Sequence, residues 1–369
     1  MKYGLIVHIK TQNIGDDFQE YAMERFLPHL DYVIDREHLD SFYTETGEKV
    51  ASLLGGWFFW HPLNWPPSPF LKVLPIAFHL TGGGIRKITL TDYGAEWFKN
   101  FEAIGCRDEG TVRLLKRDVG VKAYFSGCFT LTIDPFADVN HHGKIVLVDL
   151  PKEVEDFIRA HTKKEVVLVS HNYTSLQMPK EIVDFAENNA AKDIILTSHY
   201  PEILDEPFPK NLYKGNWNYR RAFAEGLLRF YQGASLVVTT RLHASLPCLA
   251  LGTPVLMVNG GGLLNDYRIS SFVPYLNHTT PEDLLAGKYV FNFDEPKANP
   301  GGHEKFAAII RNKCADFITS CENDNDTSLI DVESWLDGQK RSLRLKRIIK
   351  MIMPSLPHPE LLNPAFYYF

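Results

Sequence analysis

Short apolar runs recur along this chain, each closing on Gly, Pro or a polar cluster and followed by a stretch of helical period. Residues 3–9, 32–35, 51–56, 76–80 and 123–126 read as strands, with helices over 16–27 and from 108 to 117. The pattern restarts near 144. Residues 145–149, 165–171, 193–199, 236–238 and 255–258 read as buried strands, with helices at 154–161 and 219–231. Runs that are apolar throughout, alternating with helices, predict a parallel α/β fold. The stretch 57–70 breaks the rhythm with repeated Pro and aromatic residues, so it reads as an ordered loop or lid.

A chain of 369 residues has room for two domains, each with its own core. The division expected is an N-terminal α/β domain at 1–143, a C-terminal one at 144–320, and a last segment at 321–369. That segment joins an acidic loop, a basic amphipathic helix at 340–353 and an aromatic tail. The basic helix suits either an anionic membrane surface or the outside of the first domain. A net charge of −6 argues against a nucleic-acid binder. The first residues read as a strand rather than a signal peptide, and no apolar run is long enough to span a bilayer. Five scattered cysteines without metal-ligand spacing suggest reduced thiols and a cytoplasmic protein.

Candidate chemistry gathers where strands end. Arg241 and His243 lie between the 236–238 strand and the next helix, and ligands of open α/β sheets bind at such carboxyl ends. The helix N-terminus and the guanidinium favour an anion, and His243 supplies a proton-exchanging group beside them. The competing reading has Arg241 capping or pairing and His243 filling the core. Arg107 and Asp108 occupy a similar junction, where Asp108 fits a helix N-cap and Arg107 has no capping use. His171 and His199 both end apolar strands in Ser-His. Arg268 follows the last strand, close to Asp266 as a competing ion-pair partner. In the first loop, Gly15 permits close backbone approach and Asp16 can cap the helix. A functional role for Asn13, Gly15, Asp16 and Asp17 would be to bind acceptor hydroxyls or supply the base that deprotonates one. The Asp16-Asp17 pair has no second carboxylate cluster to complete a metal site, so no metal is expected. Trp57, Trp60 and Trp65 offer faces for a sugar ring, or pack their own loop.

Three segments together resemble the polysaccharide pyruvyl transferases: Asn13-Ile-Gly-Asp-Asp-Phe-Gln-Glu-Tyr-Ala, Ile104-Gly-Cys-Arg-Asp-Glu-Gly-Thr with Gly120-Val-Lys-Ala-Tyr-Phe-Ser-Gly-Cys, and Val237-Val-Thr-Thr-Arg-Leu-His-Ala with Ala250-Leu-Gly-Thr-Pro-Val. The resemblance implies two Rossmann-like domains facing a cleft, as in two-domain glycosyltransferases of GT-B type. It implies transfer of a pyruvyl group from phosphoenolpyruvate to sugar hydroxyls of a polysaccharide or lipid-linked precursor, with no cofactor. Under it, His243, Arg241 and Asp108 are the catalytic candidates. Arg107, His171, Arg268, Asn13, Gly15, Asp16 and His199 are the substrate-binding ones. His171 stands where the family often has Arg. Arg241 is expected to lower the pKa of His243, and a bound trianion to raise it again. The alternatives are a nucleotide-sugar glycosyltransferase and a non-catalytic glycan-binding protein.

Overall fold

The computed structural model describes residues 1–9, 11–58, 64–80, 92–173, 178–190, 217–260, 267–324, 326 and 328–339. Its first sheet holds β1 (Lys2–Val7), β2 (Tyr32–Asp35), β3 (Val50–Trp57), β4 (Leu71–His79), β5 (Ile104–Cys106) and β6 (Ala123–Phe125). These strands are all parallel, in the order β2-β1-β3-β4-β5-β6. The second sheet holds β7 (Ile145–Val148), β8 (Val166–Val169), β9 (Leu236–Thr239), β10 (Val255–Val258) and β11 (Asn277–Thr279). Its order is β11-β10-β9-β7-β8, again parallel. The central strands are buried along their whole length, as their unbroken Val, Leu and Ile require. Helices are α1 (Ile14–Glu24), α2 (Asp92–Phe98), α3 (Glu109–Leu114), α4 (Lys152–Ala160), α5 (Lys180–Asn189), α6 (Trp217–Gly233), α7 (Leu242–Leu251), α8 (Tyr267–Ser270), α9 (Pro281–Leu285) and α10 (Glu304–Glu322).

Strand order reverses in each sheet beside its first strand: between β1 and β3 in one, between β7 and β9 in the other. Such switch points open a crevice beyond the strand ends. Here the two crevices face each other, because the loop after β1 meets the loop after β8. Ile14 N donates to His171 O at 2.9 Å, and Tyr173 N donates to Gln12 O at 2.9 Å.

The halves are not packed as separate cores. Ile14, Phe18 and Ala22 of α1 share one apolar cluster with Phe223, Leu227 and Tyr231 of α6 and with Ala244 of α7. Each large side chain buried there contributes about 1.5–3 kcal/mol. Separate clusters lie deeper in the first half, around Phe70 and Phe78, and in the second, around Ile145 and Leu236. α10 leaves the second half and returns to the first. Arg311 donates to Thr132 O at 2.9 Å, and Cys321 packs with Tyr3 and Ala51. The acidic stretch beyond it is tied down as well, Asp324 to Lys72 and Asp326 to Lys49.

Candidate functional site

At the second sheet's switch point, Asp149 follows β7 in a left-handed backbone conformation, φ 48°, rare for a residue other than Gly. Thr240 Oγ1 donates to its carbonyl at 3.0 Å. Its Oδ2 accepts from His171 N at 3.0 Å and from Arg241 Nε at 2.9 Å. Burial opposes ionisation of this carboxyl, but Arg241 and His171 hold it below the ordinary range. Arg241 N-caps α7 with its backbone, and its side chain stays 22% exposed. Its terminal guanidinium nitrogens have no hydrogen-bond partner among the described residues. His171, in contrast, is 1% exposed, with Nε2 bonded to the Tyr231 hydroxyl at 2.7 Å. Burial drives its pKa down to about 3, so it is a neutral spacer. The bond to Asp149 is made by the backbone N–H of His171, and its ring Nδ1 is buried without a hydrogen-bond partner among the described residues.

In the first half, His79 ends β4, and Arg107 and Asp108 follow β5. Arg107 N donates to Phe78 O at 2.9 Å, which fixes the two strand ends side by side. Asp108 Oδ1 accepts from Thr111 N at 2.8 Å, the N-cap of α3. Its other oxygen accepts from His79 Nδ1 at 2.5 Å. Burial disfavours the Asp108 charge, yet His79 and Arg107 hold the carboxyl down at about 2. An ionised carboxylate only accepts, so Nδ1 of His79 carries the hydrogen and Nε2 carries a lone pair. Nε2 is buried and has no partner. Burial, and then Arg107, depress the His79 pKa to about 4 against the pull of Asp108. Arg107 itself is 4% exposed, with Nη1 donating to Gln19 Oε1 at 3.2 Å and Nε unpartnered. A guanidinium enclosed to this degree without full pairing is costly.

His243 stands where the halves touch. A Cβ on Gly15 would lie 2.8 Å from His243 Cβ and 3.0 Å from its Nδ1, so only glycine lets α1 approach α7 this closely. His243 is partly exposed, but its Nε2 is enclosed and unpartnered. Burial and then Arg107 hold its pKa well below the ordinary imidazole value. The arginines acting on His243 are Arg107, of the opposite half, and Arg268, where the sequence reading named Arg241, whose Nε is paired with Asp149. Arg268 arrives on α8, which docks on α3. Tyr267 lies against Gly110, and Glu109 N donates to Ser271 Oγ at 3.1 Å. Arg107 and Arg268 both act to depress His79 and His243.

α1 supplies the polar seam between the halves. Asn13 caps the helix, its Oδ1 accepting from Gly15 N at 3.1 Å, so Asp16 does not perform that role. Asp16 instead accepts from Thr11 Oγ1 at 2.6 Å and faces Arg36 Nη1 at 3.7 Å. Burial is outweighed there by Arg36 and His8, which keep Asp16 ionised. Arg36 Nη2 donates to His8 Nδ1 at 2.7 Å, beside Gly56 at the first switch point. Asp17 is buried against Arg220 and accepts from Tyr173 OH at 2.7 Å.

His199, Trp60 and the basic segment 340–353 lie outside the described residues. Trp65 is packed in the core, its ring 4.7 Å from Trp97 and 5.4 Å from Phe98, so it stacks on protein rather than sugar. Trp57 carries Arg36 over its ring at 5.9 Å. All five cysteines are buried and unbridged. No group of three or more His, Cys, Asp or Glu is placed to hold a metal among the described residues, and no helix there is long and apolar enough to cross a membrane. Sequence reasoning missed His79, Asp149, Arg36 and Arg220. Only the left-handed backbone and the tertiary partners reveal them.

Residues 13–261 match the family model described as "Polysaccharide pyruvyl transferase". No curated protein matches. Among solved structures, a functionally uncharacterised protein from Klebsiella pneumoniae is 14% identical, with 76% of this chain and 92% of that one covered, at a TM-score of 0.37. The E. coli heptosyltransferase WaaC with ADP is 14% identical over 76% and 92% of the two chains, at 0.25. WaaC with ADP-2-deoxy-2-fluoro heptose is 13% identical over 87% and 99%, at 0.23. Those scores are too low to carry an argument, and the α/β architecture stands on the strand topology itself.

Proposed function

We propose, from the premise that this chain belongs to the polysaccharide pyruvyl transferase family, that it moves the pyruvyl group of phosphoenolpyruvate onto two hydroxyls of a sugar. The products are a pyruvate ketal and inorganic phosphate. The observation that carries this reading is the close approach of Gly15 of the first half to His243 of the second, where the enclosed His243 Nε2 and the enclosed Nε of Arg107 both lack a partner among the described residues. Phosphoenolpyruvate bears a carboxylate and a phosphate, and the incompletely paired guanidinium of Arg107, with that of Arg241 beyond its Nε bond to Asp149, suits such groups.

In this reading His243 is neutral in the empty site and gains a proton when the donor's negative charge arrives. It then protonates the methylene carbon, leaving positive character on the carbon that bears phosphate. One sugar hydroxyl adds there, and a second displaces phosphate to close the ketal. The arginines stabilise the departing phosphate. Every transferred atom comes from donor and acceptor, so the reaction calls for no cofactor and no metal. The acceptor sits toward Asp16 and Trp57 of the first half. A cytoplasmic location, a lipid-linked acceptor and membrane docking through 340–353 belong to the same reading.

Mass spectrometry of glycans incubated with the protein and phosphoenolpyruvate tests it. The expected product gains one pyruvate less one water, with equimolar phosphate released. A glycosyl increment from a nucleotide sugar, with none from phosphoenolpyruvate, would contradict it.

A further inference from the structure

The pair His79–Asp108 is not needed to hold the donor, and it is built like a proton-transfer device. Asp108 accepts from His79 Nδ1 at 2.5 Å and Thr111 Oγ1 lies 3.2 Å from the same nitrogen, so the ring's tautomer and orientation are both fixed. The lone pair on Nε2 is enclosed with no partner among the described residues, and the residue is only 3% exposed. A buried acceptor left unsatisfied costs about 1–3 kcal/mol unless a ligand completes it. The strand-end contact of Arg107 N with Phe78 O sets His79 and Arg107 on adjacent strand ends. The charged groups acting on His79 are Arg107, Asp108 and Arg268.

We propose that His79 is a second catalytic residue: its Nε2 takes the proton from the attacking sugar hydroxyl and delivers it to the departing phosphate. This rests on the pyruvyl-transfer reading and assigns the base it lacks. The proton inventory closes. His243 gives its proton to the methylene carbon. As the first carbon–oxygen bond forms, the hydroxyl proton passes to His79. As the second forms and the carbon–oxygen bond to phosphate breaks, that hydroxyl returns a proton to His243. His79 then protonates the phosphate, which leaves with the electron pair of the broken bond. Asp108 is a positioning residue that keeps Nε2 free to accept.

His79→Asn tests this, because the amide N–H can still bond Asp108 while nothing replaces Nε2. With phosphoenolpyruvate and a sugar that the parent pyruvylates, kcat should fall by about 10²–10⁴-fold. The affinity for phosphoenolpyruvate, read by calorimetry, should stay as in the parent, and added imidazole should restore part of the rate. Asp108→Asn keeps the helix cap but turns the tautomer, and should lower kcat in the same way without loss of donor binding. An unchanged kcat in both variants, or a loss of rate matched by equal loss of donor binding, overturns the role. A parent protein that releases no phosphate and forms no ketal overturns the pyruvyl-transfer reading itself. A parent that does both while His79→Asn keeps pace with it overturns this assignment alone.

Discussion

Asp149 and Arg241 meet at 2.9 Å across the point where the second sheet reverses its strand order. The bond engages Nε and leaves the terminal guanidinium nitrogens without a hydrogen-bond partner among the described residues. Asp149 adopts its left-handed backbone to reach it. Asp149→Asn tolerates that backbone but removes the charge, so the KM for phosphoenolpyruvate should rise with little change in stability. Asp149→Ala should cost about 1–2 kcal/mol more in urea denaturation, because alanine resists that conformation.

Gly15→Ala probes the closest approach of the halves. The added methyl collides with the rigid base of His243, not with a flexible tip. A displacement of this size should lower kcat by about 10²-fold, and the overpacking should cost about 1–3 kcal/mol of stability. Steady-state kinetics beside a thermal melt separates the two effects.

Arg220 is the buried cation of the interdomain seam, paired with Asp17 and donating to Ile9 O at 2.9 Å. Arg220→Met would strand Asp17 and Glu20 without a counter-charge and should destabilise by about 3–5 kcal/mol. Chemical denaturation measures the loss. A value near zero would mean that the two carboxylates are satisfied without it.

Acid should weaken the fold in a definite direction. Burial holds His171 down to about 3 and His79 to about 4, from an ordinary value of 6.5. The unfolded chain therefore binds protons that the native one refuses, and unfolding free energy falls as pH drops through 6.5 toward 4. Glu20, pushed up by burial, titrates with the opposite sign, so the effect is read as a difference between variants. His171→Gln keeps a partner for Tyr231 and should flatten the slope by up to about 1.4 kcal/mol per pH unit. A slope identical to the parent's would show that His171 is charged in the native state.

Much of this was legible in the residues. Continuous runs such as Ile145–Val148 and Val255–Val258 betray strands buried on both faces, and the parallel sheets follow. The resemblance located the junctions carrying Arg107 and His243. Their meeting was not legible, because it depends on Gly15 letting α1 reach α7 across the halves. His79 looks like one more residue at the end of an apolar strand, and its partner Asp108 lies 29 positions away. Asp149 looks like an ordinary strand terminus until its backbone angle is seen. The expected effect of Arg241 on the His243 pKa gives way to that of Arg107 for a local reason: the Asp149 carboxylate on the neighbouring strand end pairs with the Arg241 guanidinium.

Calorimetric titration of phosphoenolpyruvate into the parent and into Arg107→Gln tests the central claim most directly. The account predicts saturable binding to the parent, weakened by at least about tenfold when this cation of the first half is neutralised, since that loss is worth about 1.4 kcal/mol or more. Equal affinity in a folded Arg107→Gln protein would contradict it, because the donor would then not lie between the halves.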